Sequence, residues 1–159
     1  MMDNFISRRR FLGVLGCCLT VPTILASCST TKREDQAKQK LKLAELRATK
    51  KYKEKKIEVG DNFYSPKETT IEAGTIVIWT NTGRVIHDVM ADDPDGTSEN
   101  HDMDSMKETD FTSATLQSGD IYVRLFTKPG KHFYHCHFHG GPQRGQWGSI
   151  TVSSTDRTL

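Results

Sequence analysis

Hydrophobic and polar positions change rhythm twice along the chain. Residues 11–26 form one apolar run. Between residues 29 and 56 glycine and proline are absent, and the segment from Gln36 is dense in Lys, Glu, Ala and Leu. Leu41, Leu43, Ala44 and Leu46 give that segment only a narrow apolar edge, too thin to bury a helix in a core. From Ile57 the pattern shifts to short β-rich runs, which predict strands over 56–60, 69–72, 75–80, 86–91, 113–117, 121–127, 131–136 and 148–153. Turn signals separate them at Ser65-Pro66, Ala73-Gly74, Asn81-Thr82-Gly83, Ser118-Gly119-Asp120 and Lys128-Pro129-Gly130. Eight short strands without a long periodic helix imply an all-β domain, a Greek-key β-sandwich or barrel.

Alternation within the strands assigns faces. His87 shares a side with Val89 and Ala91, and Tyr134 shares one with Cys136. His87 and Cys136 can therefore both face inward near strand ends, whereas His135 is expected to face out.

The N-terminal region reads as an address. Ser7-Arg8-Arg9-Arg10-Phe11-Leu12 resembles the twin-arginine export motif, and the apolar run behind it is shorter than the ~20 residues a spanning helix needs. Leu25-Ala26-Ser27-Cys28 resembles a bacterial lipobox, which implies cleavage before Cys28 and acylation of that cysteine. The other reading of this stretch is an uncleaved anchor or an ordinary secretory signal. The expected organisation is an export signal with lipobox over 1–27, a charged tether over 28–56 and a folded domain over 57–159. As a helix, the ~25 tether residues would reach ~40 Å. The segment is read either as a spacer that lets an anchored domain meet partners or as a disordered charged leader.

Charge divides at the same boundary. Residues 32–56 carry 11 Lys/Arg against 4 Asp/Glu, and residues 57–159 carry 8 against 15. An acidic domain repels nucleic-acid phosphate, which excludes that partner class, while the basic stretch suits anionic lipid headgroups next to an anchor. Cys17, Cys18 and Cys28 lie in the N-terminal segment, so Cys136 is the one thiol of the folded domain. In an exported domain a lone thiol has no internal disulfide partner, which favours a metal-bound thiolate.

That cysteine sits in the densest chemistry of the chain, residues 130–148. A strand delivers Cys136 to a loop, His139 follows three residues later, and a glycine-rich return leads to the last strand. With a further histidine upstream, these groups suit the trigonal His, His, Cys environment of a copper electron-transfer centre. No nucleophile and base pair, phosphate loop or open catalytic metal site is visible, so neither an enzyme nor a small-molecule substrate is expected.

Residues 57–153 resemble a cupredoxin of the plastocyanin and pseudoazurin kind. The matching pieces are Asn62-Phe63-Tyr64-Ser65-Pro66, the run from Ile71-Glu72-Ala73-Gly74 to Trp79-Thr80-Asn81, Ile86-His87-Asp88-Val89, the run from Pro129-Gly130 to His135-Cys136, and Gly145-Gln146-Trp147-Gly148. The resemblance implies one type 1 (blue) copper, with His87, Cys136 and His139 as equatorial ligands. It departs at the axial position, where Gln146 replaces the family's methionine and the loop from His139 is two residues longer. An amide oxygen is a harder donor than a thioether, so a stellacyanin-like centre of lowered reduction potential is expected, with Gln143 the weaker axial candidate. His135 and His137 flank the cysteine and are read as surface residues or residues behind the ligands, with His135 on a possible electron route. The implied function is single-electron transfer between redox partner proteins at a bacterial cell envelope, the chain being exported and held on a membrane by its lipid. The competing reading is copper delivery, storage or sensing, for which His101, Met103 and Met106 in the acidic connection 92–110 offer a second copper site. The simpler reading of that connection is a hydrated crossover. A third reading is an enzyme with copper open to substrate.

Overall fold

A computed structural model describes residues 27–93 and 111–154. The elements are α1 (Ser27–Ala48), β1 (Lys53–Gly60), β2 (Phe63–Ser65), β3 (Glu68–Glu72), β4 (Thr75–Asn81), β5 (Met90–Ala91), β6 (Ile121–Phe126), β7 (Gly130–Gly141) and β8 (Arg144–Ser153). The twin-arginine motif, the apolar run, the side chain of Cys28, and His101, Met103 and Met106 lie outside the described residues. No described helix is long and apolar enough to cross a membrane.

Two four-stranded sheets face each other, ordered β2-β1-β4-β6 and β3-β8-β7-β5. β1 pairs with β4, and β3 with β8, in parallel, while the other pairs are antiparallel. Neighbours so far apart in sequence require crossovers between the sheets, as in the expected Greek-key sandwich.

β4 organises the packing because its Ile-Val-Ile-Trp run is buried on both faces. Val77 and Trp79 point into the space between the sheets, where the Trp79 ring lies 5.4 to 6.2 Å from those of Phe111, Tyr122, Phe126 and Tyr134. Ile76 and Ile78 point outward and form a second cluster with Val123 of β6 and Leu43 of α1. A strand that is apolar on both faces needs a layer on each side. The outer layer here is α1.

This overturns the reading of 28–56 as a solvated tether. Leu43 is buried, with Leu46 and Tyr52 packed around the same cluster. The polar side of the contact is equally specific. β6 is an edge strand, and such strands leave backbone N–H and C=O groups open. Gln36 satisfies both groups of Ile121, accepting from its N–H at 2.9 Å and donating to its carbonyl at 3.2 Å. Gln39 accepts from the Val123 N–H at 3.0 Å, and Lys42 donates to the Val123 carbonyl at 3.0 Å. Glutamine can do this because its amide carries a donor and an acceptor. The narrow apolar edge suffices because hydrogen bonds worth about 1 kcal/mol each supplement it.

Other expectations shift for local reasons. The first strand begins at Lys53, inside the proposed tether, and β2 was not anticipated. The strand expected over 86–91 shrinks to β5 plus a bridge between His87 and Leu116. The one expected over 113–117 is no strand, and the segment contributes only the Leu116 bridge and a backbone hydrogen bond from Ser113 to Val89. Side chains replace the missing ladder: Asn81 Nδ2 donates to the Val85 and Leu116 carbonyls at 2.9 Å, and its Oδ1 accepts from the Gly83 N–H at 2.8 Å. A loop held this way is free to bend around His87. β7 and β8 also run further than expected, meeting across residues 141–144 with a register shift between His135 and Gly140.

Candidate metal centre

One end of the sandwich gathers the loop 81–87, the end of β7 and the start of β8. His87, Cys136 and His139 come together there, with one ligand atom of each within 4.8 Å of the others. Cys136 Sγ lies 3.7 Å from His87 Nδ1 and 3.4 Å from His139 Nδ1. Bonds of about 2.0 Å to nitrogen and about 2.3 Å to sulfur would separate the ligand atoms of a trigonal centre by roughly 3.7 Å. The two sulfur-to-nitrogen separations are close to that spacing. Among the described residues it is the one group of three or more such side chains able to hold a metal ion.

Burial and hydrogen bonding fix each group. His87 and Cys136 are fully buried, and His139 is partly exposed. His87 Nε2 faces Asp61 Oδ1 at 3.4 Å, which leaves Nδ1 to present its lone pair beside the sulfur. The Asp61 carboxyl is held below its ordinary value chiefly by the Arg84 backbone N–H, with His87 and the Val85 N–H adding to it. The next residue, Asp88, accepts the backbone N–H of His137 at 2.8 Å and so ties the His87 strand to the cysteine loop. Burial pushes the Cys136 thiol up to about 11, against hydrogen bonds from the Asp88 and Phe138 backbones. Occupancy by a metal therefore has to displace that proton, and the two backbone donors remain to hold the thiolate.

The turn back to β8 is equally constrained. Gly145 has φ +65, and a Cβ there would lie 2.5 Å from the His139 carbonyl oxygen. Only glycine returns the chain this tightly behind the histidine.

Gln146 is fully buried on the following residue. Its Nε2 donates to the carbonyls of Gly60 and Phe63, both at 3.0 Å. Two carbonyl acceptors fix which end of the amide is nitrogen. Oε1 is left buried with no hydrogen-bond partner among the described residues. A buried acceptor without a partner costs about 1 to 3 kcal/mol, so this orphaned oxygen suits a donor set that a metal completes. Gln143 is exposed in the turn, at φ 50.

His135 does not face solvent as expected. It points away from the inner core but is fully buried, with Nδ1 at 2.5 Å from Asp92 Oδ1. The outward side of the strand is covered here by Asp92, 43 residues earlier. His137 is exposed. Asp61, Asp88, Asn81 and Asp92 support the site without having been singled out for it. Only Asn81, in an Asn-Thr-Gly sequence at a strand end, carried a local signal.

Comparison with known proteins agrees with this geometry. Residues 51–153 match the family described as copper binding proteins, plastocyanin/azurin family. The chain is 29% identical over 89 residues to the chloroplastic plastocyanin of Tetradesmus obliquus, covering 56% of this chain and 57% of that protein. It is also 29% identical over 89 residues to the plastocyanin of Scenedesmus fuscus, covering 56% of this chain and 85% of that one. The chain thus spans little more than half the length of the first relative. Among solved structures, a purple cupredoxin from Nitrosopumilus maritimus is 30% identical, covers 62% of this chain and 98% of its own, and superposes with a TM-score of 0.49. With its His, Cys, His group at the end of a Greek-key sandwich, this chain belongs to the plastocyanin/azurin family of copper-binding proteins.

Proposed function

We propose that the protein carries single electrons between redox proteins at a bacterial cell envelope, with His87, Cys136 and His139 as equatorial ligands and Gln146 Oε1 as the axial donor. The convergence of His87, Cys136 and His139 at one end of the sandwich carries this reading. Copper bound there supplies a one-electron couple between Cu(I) and Cu(II). The chain supplies a thiolate that favours the reduced state, imidazoles that accept both, and loops pinned by Asn81, Asp61 and Asp88 that limit rearrangement between them. The Gln146 oxygen, a harder donor than a thioether, favours the oxidised state and a low potential.

Exchange with a partner is supported at the same end. His139 reaches the surface, and the exposed Val85, Ile86 and Phe138 precede His87 and His139 directly in the chain. Phe63, whose carbonyl holds Gln146, is exposed as well. Such an apolar rim suits transient docking, in which desolvation is gained without strong charge pairing. Attachment through an acylated Cys28 places the carrier at a membrane. Voltammetry of the copper-loaded chain should show one reversible one-electron wave per chain. An irreversible response, or none, would overturn the carrier reading.

A further inference from the structure

The docked helix gives the copper end a direction relative to the N-terminus. The contacts of α1 advance steadily along the first sheet. Gln36 meets Ile121, Gln39 and Lys42 meet Val123, and Arg47 meets Glu54, whose level in the sheet is that of Ile76 and Leu125. The helix therefore runs alongside β6, with its N-terminal half at the Ile121 end. That end is the copper end. Ile121 pairs with Thr80, the next residue Asn81 bonds to Leu116, and Leu116 exchanges both backbone hydrogen bonds with His87. A groove of about 180 Å³ lies where Asp35, Gln36 and Gln39 pass Ala114, Leu116 and Ile121. Ser27 stands nine residues before Gln36, which places it about 14 Å further along the helix axis. The N-terminal end of α1 thus projects from the copper end of the sandwich and away from the Lys128-Pro129-Gly130 end.

We propose that α1 is an orienting strut: anchored through its N-terminus, the domain stands with its copper end and apolar rim turned towards the membrane. This rests on the lipid-anchor reading above and deepens it. The redox partner is then a membrane-embedded protein whose electron-exchange site opens at the bilayer surface, where a flexible tether would have allowed partners in any direction.

The test uses the full, lipidated, copper-loaded chain in phosphatidylethanolamine and phosphatidylglycerol vesicles containing a headgroup quencher. A fluorescent non-canonical residue is placed either at Arg144, in the turn at the copper end, or at Lys128, at the opposite end. Greater loss of fluorescence at position 144 than at 128 is expected, and the difference should shrink in a Gln36→Ala, Gln39→Ala double variant that keeps its visible band. Equal quenching at the two positions, or stronger quenching at 128, would overturn the orientation. Detergent-phase partitioning of the native chain and of Cys28→Ala separates this failure from failure of the anchor. If partitioning does not depend on Cys28, the anchor reading falls and the orientation falls with it. If it does while quenching is equal at both positions, the anchor stands and only the strut is wrong.

Discussion

The copper end and the helix-covered face of this sandwich are both specific, but they are built from different kinds of side chain. At the copper end, His87, Cys136 and His139 carry chemistry that few other residues supply, and their identities alone suggest what they do. On the covered face, Leu43 and three long polar side chains of α1 match the exposed edge of β6. None of those four residues is distinctive by itself. A reactive site can be read one residue at a time, whereas docking is a property of two surfaces that lie some 80 positions apart here.

Substitutions should separate the two regions cleanly. Cys136→Ser removes the thiolate, and complete loss of the intense visible band is expected while α1 stays docked, as its amide exchange protection would show. Leu43→Ala should do the reverse. Loss of a buried leucine costs about 2 to 3 kcal/mol, read as a lower denaturation midpoint, with the visible band unchanged. If the band shifted as well, the covered face would not be independent of the site. Gln146→Met sharpens the comparison within the copper end. Its potential should rise because a thioether replaces the amide oxygen, and stability should fall by about 1 to 3 kcal/mol because the Gly60 and Phe63 carbonyls lose their donor. No change in voltammetry would remove Gln146 from the axial position.

Much of the fold was legible because β-branched runs and turn residues alternate after residue 57. The expected strands at 69–72, 75–80, 121–127 and 148–153 fall on β3, β4, β6 and β8. Ile76 and Ile78 alternate with Val77 and Trp79, so β4 is apolar on both sides and its outer face requires a cover. That requirement would have questioned a free tether. Around the ligands, the inward face of Cys136 followed from period-two alternation along β7, whereas His87 is buried outside any strand, where only a bridge to Leu116 remains. The burial of His135 did not, because Asp92 approaches it from another strand end. Nor did the amide geometry of Gln146, which is fixed by two carbonyls more than 80 positions earlier. In each case the missing information was a long-range contact, to which local periodicity is blind.

The most direct test of the central claim is the visible absorption and EPR spectrum of the folded chain, α1 included, after one equivalent of Cu(II), followed by titration with reductant. An intense thiolate-to-copper band that bleaches on reduction and returns on oxidation is the predicted result. A colourless Cu(II) adduct, or irreversible oxidation of Cys136, would contradict the assignment of His87, Cys136 and His139 as an electron-transfer centre.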